Sequence, residues 1–241
     1  MRPETVDKLN ELNRKFYSKV AEDFSDSRQY FWKGWNILWD WIELKGLTVG
    51  KILDAGSGNG RFAEFLIQRM GNDFEYLGID YSRDLLGRAK HLASDHIQFD
   101  EMDLITDLKK LKGRFELIVL FGVMHHIPGY ENRVKLLQGL SKHLTKGGHL
   151  VATSWRFDRD KQLFDRKLSW NDSGLDESDL ENGDFLLDWR RKKQARRYVH
   201  LALPEEQESL VNDSGLEIKY HFEADGKEGN LNRYVILCKK H

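Results

Sequence analysis

The 241-residue sequence lacks several features that would place it in a specialised class of protein. A single cysteine, Cys238, excludes an internal disulfide and a zinc site built from several cysteines. No apolar run approaches the roughly 18 residues of a membrane span, and the first residues do not resemble a secretion signal. The 38 basic residues are balanced by 39 acidic ones, so any affinity for nucleic acid must come from a local patch. We therefore expect a soluble, cytosolic protein.

Short apolar runs alternate with helical patterns from about residue 49 onward. Such alternation is typical of a parallel sheet with helices on both faces. We therefore predict an α/β fold with a Rossmann-like, mostly parallel seven-stranded sheet that closes on a hairpin-like pair. The predicted strands are 51–54, 74–80, 96–99, 115–121, 149–154, 216–224 and 232–239, and the predicted helices between them are 61–70, 82–94, 131–144 and 204–214.

Two parts of the chain stand outside this alternation. The first 48 residues have helical spacing and are rich in aromatic residues, so we predict that 1–48 form an N-terminal helical cap. The remainder, 49–241, is predicted to be the main domain, with the cap and domain forming a single structural unit. Within it, about 156–197 is polar, first acidic and then basic, which indicates an insertion after the fifth strand.

The stretch K-I-L-D-A-G-S-G-N-G, residues 51–60, organises the main domain. A buried strand that leads into a glycine-rich turn and a helix is the ground plan of nucleotide-type cofactor sites. Gly56, Gly58 and Gly60 allow the backbone to turn tightly and to approach a ligand closely. A Walker loop is excluded because Arg61 follows the last glycine, whereas a dinucleotide pattern G-x-G-x-x-A fits formally.

Asp54 discriminates between the remaining ligands. A carboxylate at the mouth of the turn repels a pyrophosphate, but it accepts hydrogen bonds from an ammonium group, directly or through water. The ligand should therefore carry a cation and no phosphate, and S-adenosylmethionine has this chemistry. The D-x-G-x-G-x-G run resembles the first motif of class I methyltransferases, as does the terminal strand pair. The resemblance covers about residues 49–241 and implies that fold and that cofactor.

Further cofactor contacts are predicted at the ends of the following strands. Asp80 ends the second strand, where an acid can accept from both ribose hydroxyls, although it could instead cap a helix. The resemblance implies that Asp103 contacts the adenine amino group and that Leu104 packs on the adenine ring. The other residues assigned to the cofactor are Tyr81, the Phe121 and Gly122 floor beneath the methionine portion, and Tyr17, which could close over the cofactor from the cap.

Two adjacent histidines, His125 and His126, follow the fourth strand, at the position where the fold carries its chemistry. Imidazole titrates near neutrality and can take or hold a proton. We predict no metal site, because adjacent histidines point apart in most conformations and no carboxylate or cysteine cluster accompanies them. At least one histidine is expected to fix the loop by hydrogen bonding.

Three segments, within 16–32, 123–126 and 189–200, resemble the Trm9-type tRNA methyltransferases, which are related to the methyltransferase domain of the AlkB homologue 8 proteins. That family esterifies the carboxylate of a 5-carboxymethyluridine at the tRNA wobble position. The resemblance implies that Arg28 pairs with the acceptor carboxylate in a bidentate fork, and that His125 and His126 position it. Two other functions stay open from the residues alone, namely methylation of a small-metabolite carboxylate, hydroxyl or amine, and a non-catalytic binding protein of the same fold.

A basic run lies in the second half of the insertion. On a nearly neutral protein, six positive charges in eight residues form a patch that could hold a phosphate backbone. The alternative is a solvated helix balanced by the acidic residues before it. Aromatic residues flank the run and could stack on an unstacked base, while no activating protein partner can be assigned from the sequence. The predicted RNA-binding residues are Trp189, Arg190, Arg191, Lys192, Lys193, Arg196, Arg197 and Tyr198.

Overall fold

The computed structural model describes residues 1–27 and 30–240, and for Asp172 it describes the backbone only. The α-helices of this part are α1 (Pro3–Asp26), α2 (Lys33–Leu44), α3 (Arg61–Met70), α4 (Arg83–Ala89), α5 (Tyr130–Ser141), α6 (Lys161–Phe164) and α7 (Pro204–Asp213). The strands are β1 (Lys51–Ala55), β2 (Glu75–Asp80), β3 (Ile97–Glu101), β4 (Phe115–Leu120), β5 (Leu144–Trp155), β6 (Lys167–Leu168), β7 (Asp184–Arg190), β8 (Gln194–His200), β9 (Leu216–Ala224) and β10 (Asn232–Lys239).

The main sheet has seven strands in the order β3-β2-β1-β4-β5-β10-β9. Strands β1 to β5 pair in parallel, and β10 runs antiparallel to both β5 and β9. The predicted α/β class and the antiparallel closing pair are confirmed. Because the carboxyl ends of the parallel strands meet at one edge, the loops after β1, β2, β3 and β4 lie together there.

Successive side chains of each central strand enter two different cores, as the pleat of a strand requires. Ile52 packs with residues of α2 and α3, which cover one face of the sheet. Its neighbour Leu53 packs with residues of α5 and α7 on the other face. Both side chains are fully buried, which explains why these strands appear in the sequence as continuous apolar runs.

The insertion forms a second, three-stranded antiparallel sheet, β6-β7-β8. The alternative of a solvated helix for the basic run is therefore wrong, since this run forms the end of β7, the hairpin turn and the start of β8. Helix α1 packs against this sheet, with Leu9 among residues of β7 and β8 and Phe16 edge-on to Trp189. The N-terminal helix and the insertion thus enclose the same edge of the main sheet.

Some element bounds differ from the predictions. The helix predicted over 82–94 ends earlier, because α4 stops at Ala89 and a 3-10 turn follows. Its predicted N-cap is confirmed, since the hydroxyl of Ser82 accepts from the backbone N–H of Leu85 at 3.4 Å. Strand β5 begins before its predicted glycine turn. In the described part of the chain, no helix combines the length and the apolar character needed to cross a membrane.

Candidate cofactor and active site

The glycine-rich turn after β1 needs glycine at all three positions. Gly56, Gly58 and Gly60 have φ values of 96°, 55° and 80°, a region that side chains with a Cβ rarely adopt. A Cβ on Gly56 would lie 2.2 Å from Cγ2 of Val123, so the turn also packs against the loop after β4. These glycines therefore shape a turn that presents its backbone to the edge where the strands end.

Asp54 lies at the end of β1 and is buried at 2% exposure. Burial raises its pKa to about 7, against the effect of a hydrogen bond that the Tyr76 hydroxyl donates to Oδ2 at 2.7 Å. The neighbouring carboxyl of Asp80 raises the pKa of Asp54 further, whereas the positive charge of Arg61 lowers it. A buried carboxylate of this kind is stabilised by a ligand ammonium group, which fits the amino-acid portion of S-adenosylmethionine.

Asp80 lies at the end of β2 and stabilises the glycine-rich turn through hydrogen bonds. Its Oδ2 accepts from the backbone N–H of Gly58 at 2.9 Å, and its Oδ1 accepts from that of Ser82 at 2.8 Å. Burial raises its pKa to about 6, although these amide bonds favour the ionised form. Each carboxylate oxygen has two lone pairs, so capacity remains for ribose hydroxyls. The ribose and helix-cap interpretations of Asp80 are thus compatible.

A cavity of about 520 Å³ opens at this edge of the sheet. Its volume lies in the range of small-molecule and cofactor sites. The predicted residues that line it are Tyr17, Asp54, Gly56, Gly58, Asp80, Tyr81, Asp103, Leu104, Phe121, Gly122, His125, His126, Trp189, Arg191 and Arg197. Gly60 lies outside the lining and packs on α4 instead, since a Cβ there would lie 2.9 Å from Cβ of Ala89. Arg28 lies outside the described residues.

Asp103 is already engaged at the end of the cavity where adenine is predicted to bind. Its Oδ1 accepts from the backbone N–H groups of Ile105 and Thr106, and its Oδ2 pairs with the guanidinium of Arg14 at 2.6 Å. An adenine amino group would share these oxygens with α1. Helix α1 therefore contributes to this end of the cavity through Arg14, a residue that the sequence analysis did not single out.

His126 is held by hydrogen bonds on both ring nitrogens. Its Nδ1 lies 3.1 Å from the backbone carbonyl oxygen of Tyr198 and 3.3 Å from the side-chain amide nitrogen of Asn13. Its Nε2 lies 2.8 Å from the hydroxyl of Tyr17. These contacts fix the ring between α1 and β8, which agrees with the expectation that one histidine fixes the loop.

His125 is 8% exposed and borders the cavity beside its neighbour. Its ring lies 4.1 Å from that of His126 and 5.2 Å from that of Trp155, measured between ring centroids. The two imidazole rings therefore lie side by side. The expectation that these adjacent histidines point apart is wrong. They form one wall of the cavity together with the end of β5.

Only part of the basic run reaches the cavity. Trp189, Arg191 and Arg197 line it, whereas the remaining cations of the run, namely Arg190, Lys192, Lys193 and Arg196, are exposed on the hairpin. Tyr198 is fully buried, and its hydroxyl donates to Oδ1 of Asp184 at 2.8 Å. The expectation that Tyr198 stacks on a base is therefore wrong, because its ring is buried against α1.

Several cavity residues escaped the sequence analysis. Arg61 lies under Trp32 and Trp35, donates to the carbonyl of Tyr30 at 2.8 Å, and has a pKa lowered to about 10 by burial. Its charge lies near Asp54, so both ends of a zwitterionic amino acid have partners there. Asp225 also lines the cavity with a positive φ of 67°, and the Asp-Gly pair that it begins was an available turn signal.

The comparisons agree with this geometry. A family model described as a methyltransferase domain matches residues 16–218. A protein of Encephalitozoon cuniculi (strain GB-M1) assigned as a methyltransferase is 25% identical over 208 residues, which cover 86% of this chain and 88% of that protein. The tRNA (carboxymethyluridine(34)-5-O)-methyltransferase of Schizosaccharomyces pombe is 26% identical over 154 residues, which cover 62% of this chain and 60% of that enzyme, less than two thirds of its length.

A solved structure supports the fold over nearly the whole chain. The S-adenosylmethionine-dependent methyltransferase from Clostridium acetobutylicum superposes with a TM-score of 0.65 at 14% identity, covering 95% of this chain and 99% of that one. The predicted fold is thereby confirmed, and the match to a methyltransferase domain agrees with the cofactor inferred from the glycine-rich turn.

Proposed function

The chain belongs to the methyltransferase domain family and is an S-adenosylmethionine-dependent methyltransferase, and from that premise we propose that it methylates the carboxylate of a 5-carboxymethyl-type wobble uridine in tRNA. The name of the Schizosaccharomyces pombe relative supports this acceptor.

One observation carries the proposal, namely that the basic hairpin adjoins the cavity. Arg191 lines the cavity, while Arg190, Lys192 and Lys193 are exposed around the hairpin turn. A polyanion held by these exposed cations could insert a single reactive nucleoside beneath them. This arrangement suits a nucleic-acid acceptor better than a free metabolite, which gains nothing from charges outside the cavity.

Methyl transfer to a carboxylate requires little chemical catalysis from the protein. S-adenosylmethionine supplies, when bound, a methyl group already activated by its sulfonium. A carboxylate is ionised at neutral pH, so no base has to remove a proton from it. The residues of the chain therefore have to hold the acceptor in line and keep water away. The contacts that His126 makes through both ring nitrogens suit a positioning role rather than proton abstraction.

The decisive experiment offers cofactor with a labelled methyl group to two substrate pools, bulk tRNA and small metabolites. The tRNA should come from cells that lack their own carboxymethyluridine methyltransferase, so that its acceptors are free. We expect label in tRNA, and we expect mild alkali to release it, because a methyl ester is hydrolysed whereas an N-methyl group is not. Label confined to the metabolite pool, or alkali-stable label in tRNA, would reject the proposed acceptor.

The hairpin can be tested by its salt dependence. For the double variant Lys192→Gln/Lys193→Gln, the slope of log K for tRNA against log salt should fall by about 0.7–0.9 for each phosphate that is no longer neutralised. The double variant Lys142→Gln/Lys146→Gln is the matched control, since these exposed lysines lie at the opposite edge of the sheet. Equal slopes in all three proteins would remove the hairpin from the tRNA-binding surface.

A further inference from the structure

Arg197 differs from the other cations of the basic run because its side chain points inward. Along β8, Arg196 is exposed and Arg197 is only 7% exposed, as expected when successive side chains of a strand alternate. A guanidinium at this position cannot contact a phosphate backbone outside the molecule. Its charge faces the cavity instead.

The surroundings of Arg197 are aromatic rather than acidic. Its Cζ lies 4.7 Å from the ring centroid of Trp155, 5.3 Å from that of Phe16 and 5.6 Å from that of Trp189. The Tyr17 hydroxyl is a hydrogen-bond partner. No carboxylate lies within ion-pairing distance of Arg197 among the side chains described in 1–27 and 30–240. Aromatic faces and one hydroxyl leave several of its five N–H donors available.

A second guanidinium, that of Arg166, borders the same cavity. Both guanidinium groups face this cavity, and the charge of Arg166 lowers the pKa of Arg197, which burial already lowers. Arg166 likewise forms no ion pair with a described residue. Two neighbouring cations that face one cavity are stabilised by an anion between them, and a planar guanidinium fits a carboxylate in a bidentate fork.

We propose that Arg197 and Arg166 form the subsite that binds the acceptor carboxylate, with Arg197 as the specificity-determining residue. This inference rests on the proposed function in so far as that function makes the acceptor a carboxylate. The subsite is joined to the histidine wall, because the Tyr17 hydroxyl that contacts Arg197 also lies 2.8 Å from Nε2 of His126. A carboxylate bound here lies beside the loop that follows β4, in the same cavity as the glycine-rich turn.

The test uses a pair of probes that requires no nucleoside. Protein saturated with S-adenosylhomocysteine is titrated with phenylacetate and with phenylacetamide, which has the same shape without the charge, and binding is followed by ligand-observed NMR. We expect wild type to prefer the carboxylate by at least about tenfold, the strength of a charge-assisted hydrogen bond. Arg197→Gln should abolish the preference, and Arg166→Gln, half-buried and easier to accommodate, should reduce it. Arg159→Gln removes an exposed arginine outside the cavity and should leave it intact.

The outcomes separate the two proposals. A carboxylate preference that survives in both Arg197→Gln and Arg166→Gln, or no preference in wild type, overturns the subsite whether or not tRNA accepts a methyl group. A preference lost in these variants, together with unlabelled tRNA, keeps the subsite and rejects the RNA acceptor. If Arg197→Gln does not fold, Arg197→Lys retains the charge but not the fork, and it should lose most of the preference.

Discussion

The hydroxyl of Tyr17 lies 2.8 Å from Nε2 of His126 and ties the first helix to the loop after β4. The same hydroxyl is a hydrogen-bond partner of Arg197, and the carbonyl oxygen of the next residue, Tyr198, lies 3.1 Å from Nδ1 of His126. These contacts therefore form one chain, from the guanidinium to the hydroxyl, the imidazole and the carbonyl. Through them, three segments that are distant in sequence hold one wall of the cavity.

Replacing Tyr17 by phenylalanine should reduce methyl transfer with little effect on folding. Its ring packs edge-on against Phe16 and Phe24, and those contacts remain in the variant. Loss of the hydroxyl removes its hydrogen bonds to His126 and Arg197, so we expect kcat/KM for the acceptor to fall about tenfold. Steady-state kinetics should place the loss in the acceptor parameters, with the melting temperature unchanged.

The control for this variant is Tyr220→Phe. Tyr220 is 41% exposed on β9, where it stacks on Trp41 away from the cavity, and its hydroxyl should be dispensable. Wild-type kinetics for Tyr17→Phe would mean that His126 does not need this hydroxyl to hold its orientation.

Asp54→Asn should separate stability from cofactor binding. The folded-state pKa of Asp54 is raised to about 7, so the folded protein holds a proton that the unfolded chain releases at lower pH. The stability contributed by this group is therefore full in acid and is lost as pH rises through about 7. Asparagine does not titrate. We thus expect the free energy of unfolding of the variant, relative to wild type, to increase from pH 5 to pH 8 without cofactor.

Calorimetry should show the opposite effect on function, a loss of at least about tenfold in affinity for S-adenosylmethionine, because the ammonium group loses a charged acceptor. Asp95→Asn, at an exposed position, is the control for both measurements. Undiminished cofactor affinity in Asp54→Asn would contradict the electrostatic argument on which the choice of ligand rests.

The parts of the fold that were predictable are those in which burial is continuous along the chain. Strands β1 and β4 bury nearly every side chain, and such runs stand out in a sequence. The small sheet of the insertion could not be predicted in this way, because its hairpin carries a dense run of charges. In β8 the alternation of exposed Arg196 with buried Arg197 is invisible when both residues are the same cation. Burial of a charge depends on partners that only the tertiary structure provides.

The cofactor end of the site was more predictable than the acceptor end. Asp54 and the glycines form one continuous motif, and each strand end contributes one residue to the same edge. Arg166 and Asn13, by contrast, come from the insertion and from α1, whose arrangement depends on packing between them. Asn13 accepts from the backbone N–H of Tyr198 at 2.9 Å, a contact between residues 185 positions apart. No local pattern indicates such a pairing.

His200 should stabilise the protein most in acid. It is almost fully buried, with Nδ1 at 2.7 Å from Oδ1 of Asp184 and Nε2 at 2.9 Å from Glu206, which also pairs with Arg133 at 3.0 Å. Burial opposes its charge, but the two carboxylates outweigh this effect and raise its pKa. The stabilisation is thus complete below the unfolded value of about 6.5 and is lost as pH rises through the raised pKa.

We therefore expect His200→Gln to cost about 3 kcal/mol at pH 6, as for a broken buried ion pair, and clearly less at pH 9. Urea denaturation at the two pH values measures this difference. His221→Gln, an exposed position on β9, is the control. A cost that is the same at both pH values would show that His200 is neutral in the folded protein.

Gly60→Ala tests whether the glycine-rich turn is constrained by packing as well as by the ligand. A Cβ at this position would lie 2.9 Å from Cβ of Ala89, 3.0 Å from Cδ1 of Leu92 and 3.3 Å from Cζ of Phe99, on a backbone with a φ of 80°. Conformational strain and overpacking together should cost about 2–4 kcal/mol even without cofactor. Chemical denaturation of the cofactor-free protein measures this cost.

The same substitution at Gly87 is the matched control, and it should have the opposite sign. Gly87 lies inside α4, within 30 residues of Gly60, and no heavy atom lies within 4 Å of the position of an added Cβ. Alanine there removes backbone freedom from the unfolded chain and should stabilise the protein by about 0.5–1 kcal/mol. If both variants had similar stability, the packing of Gly60 against α4 would not constrain the turn.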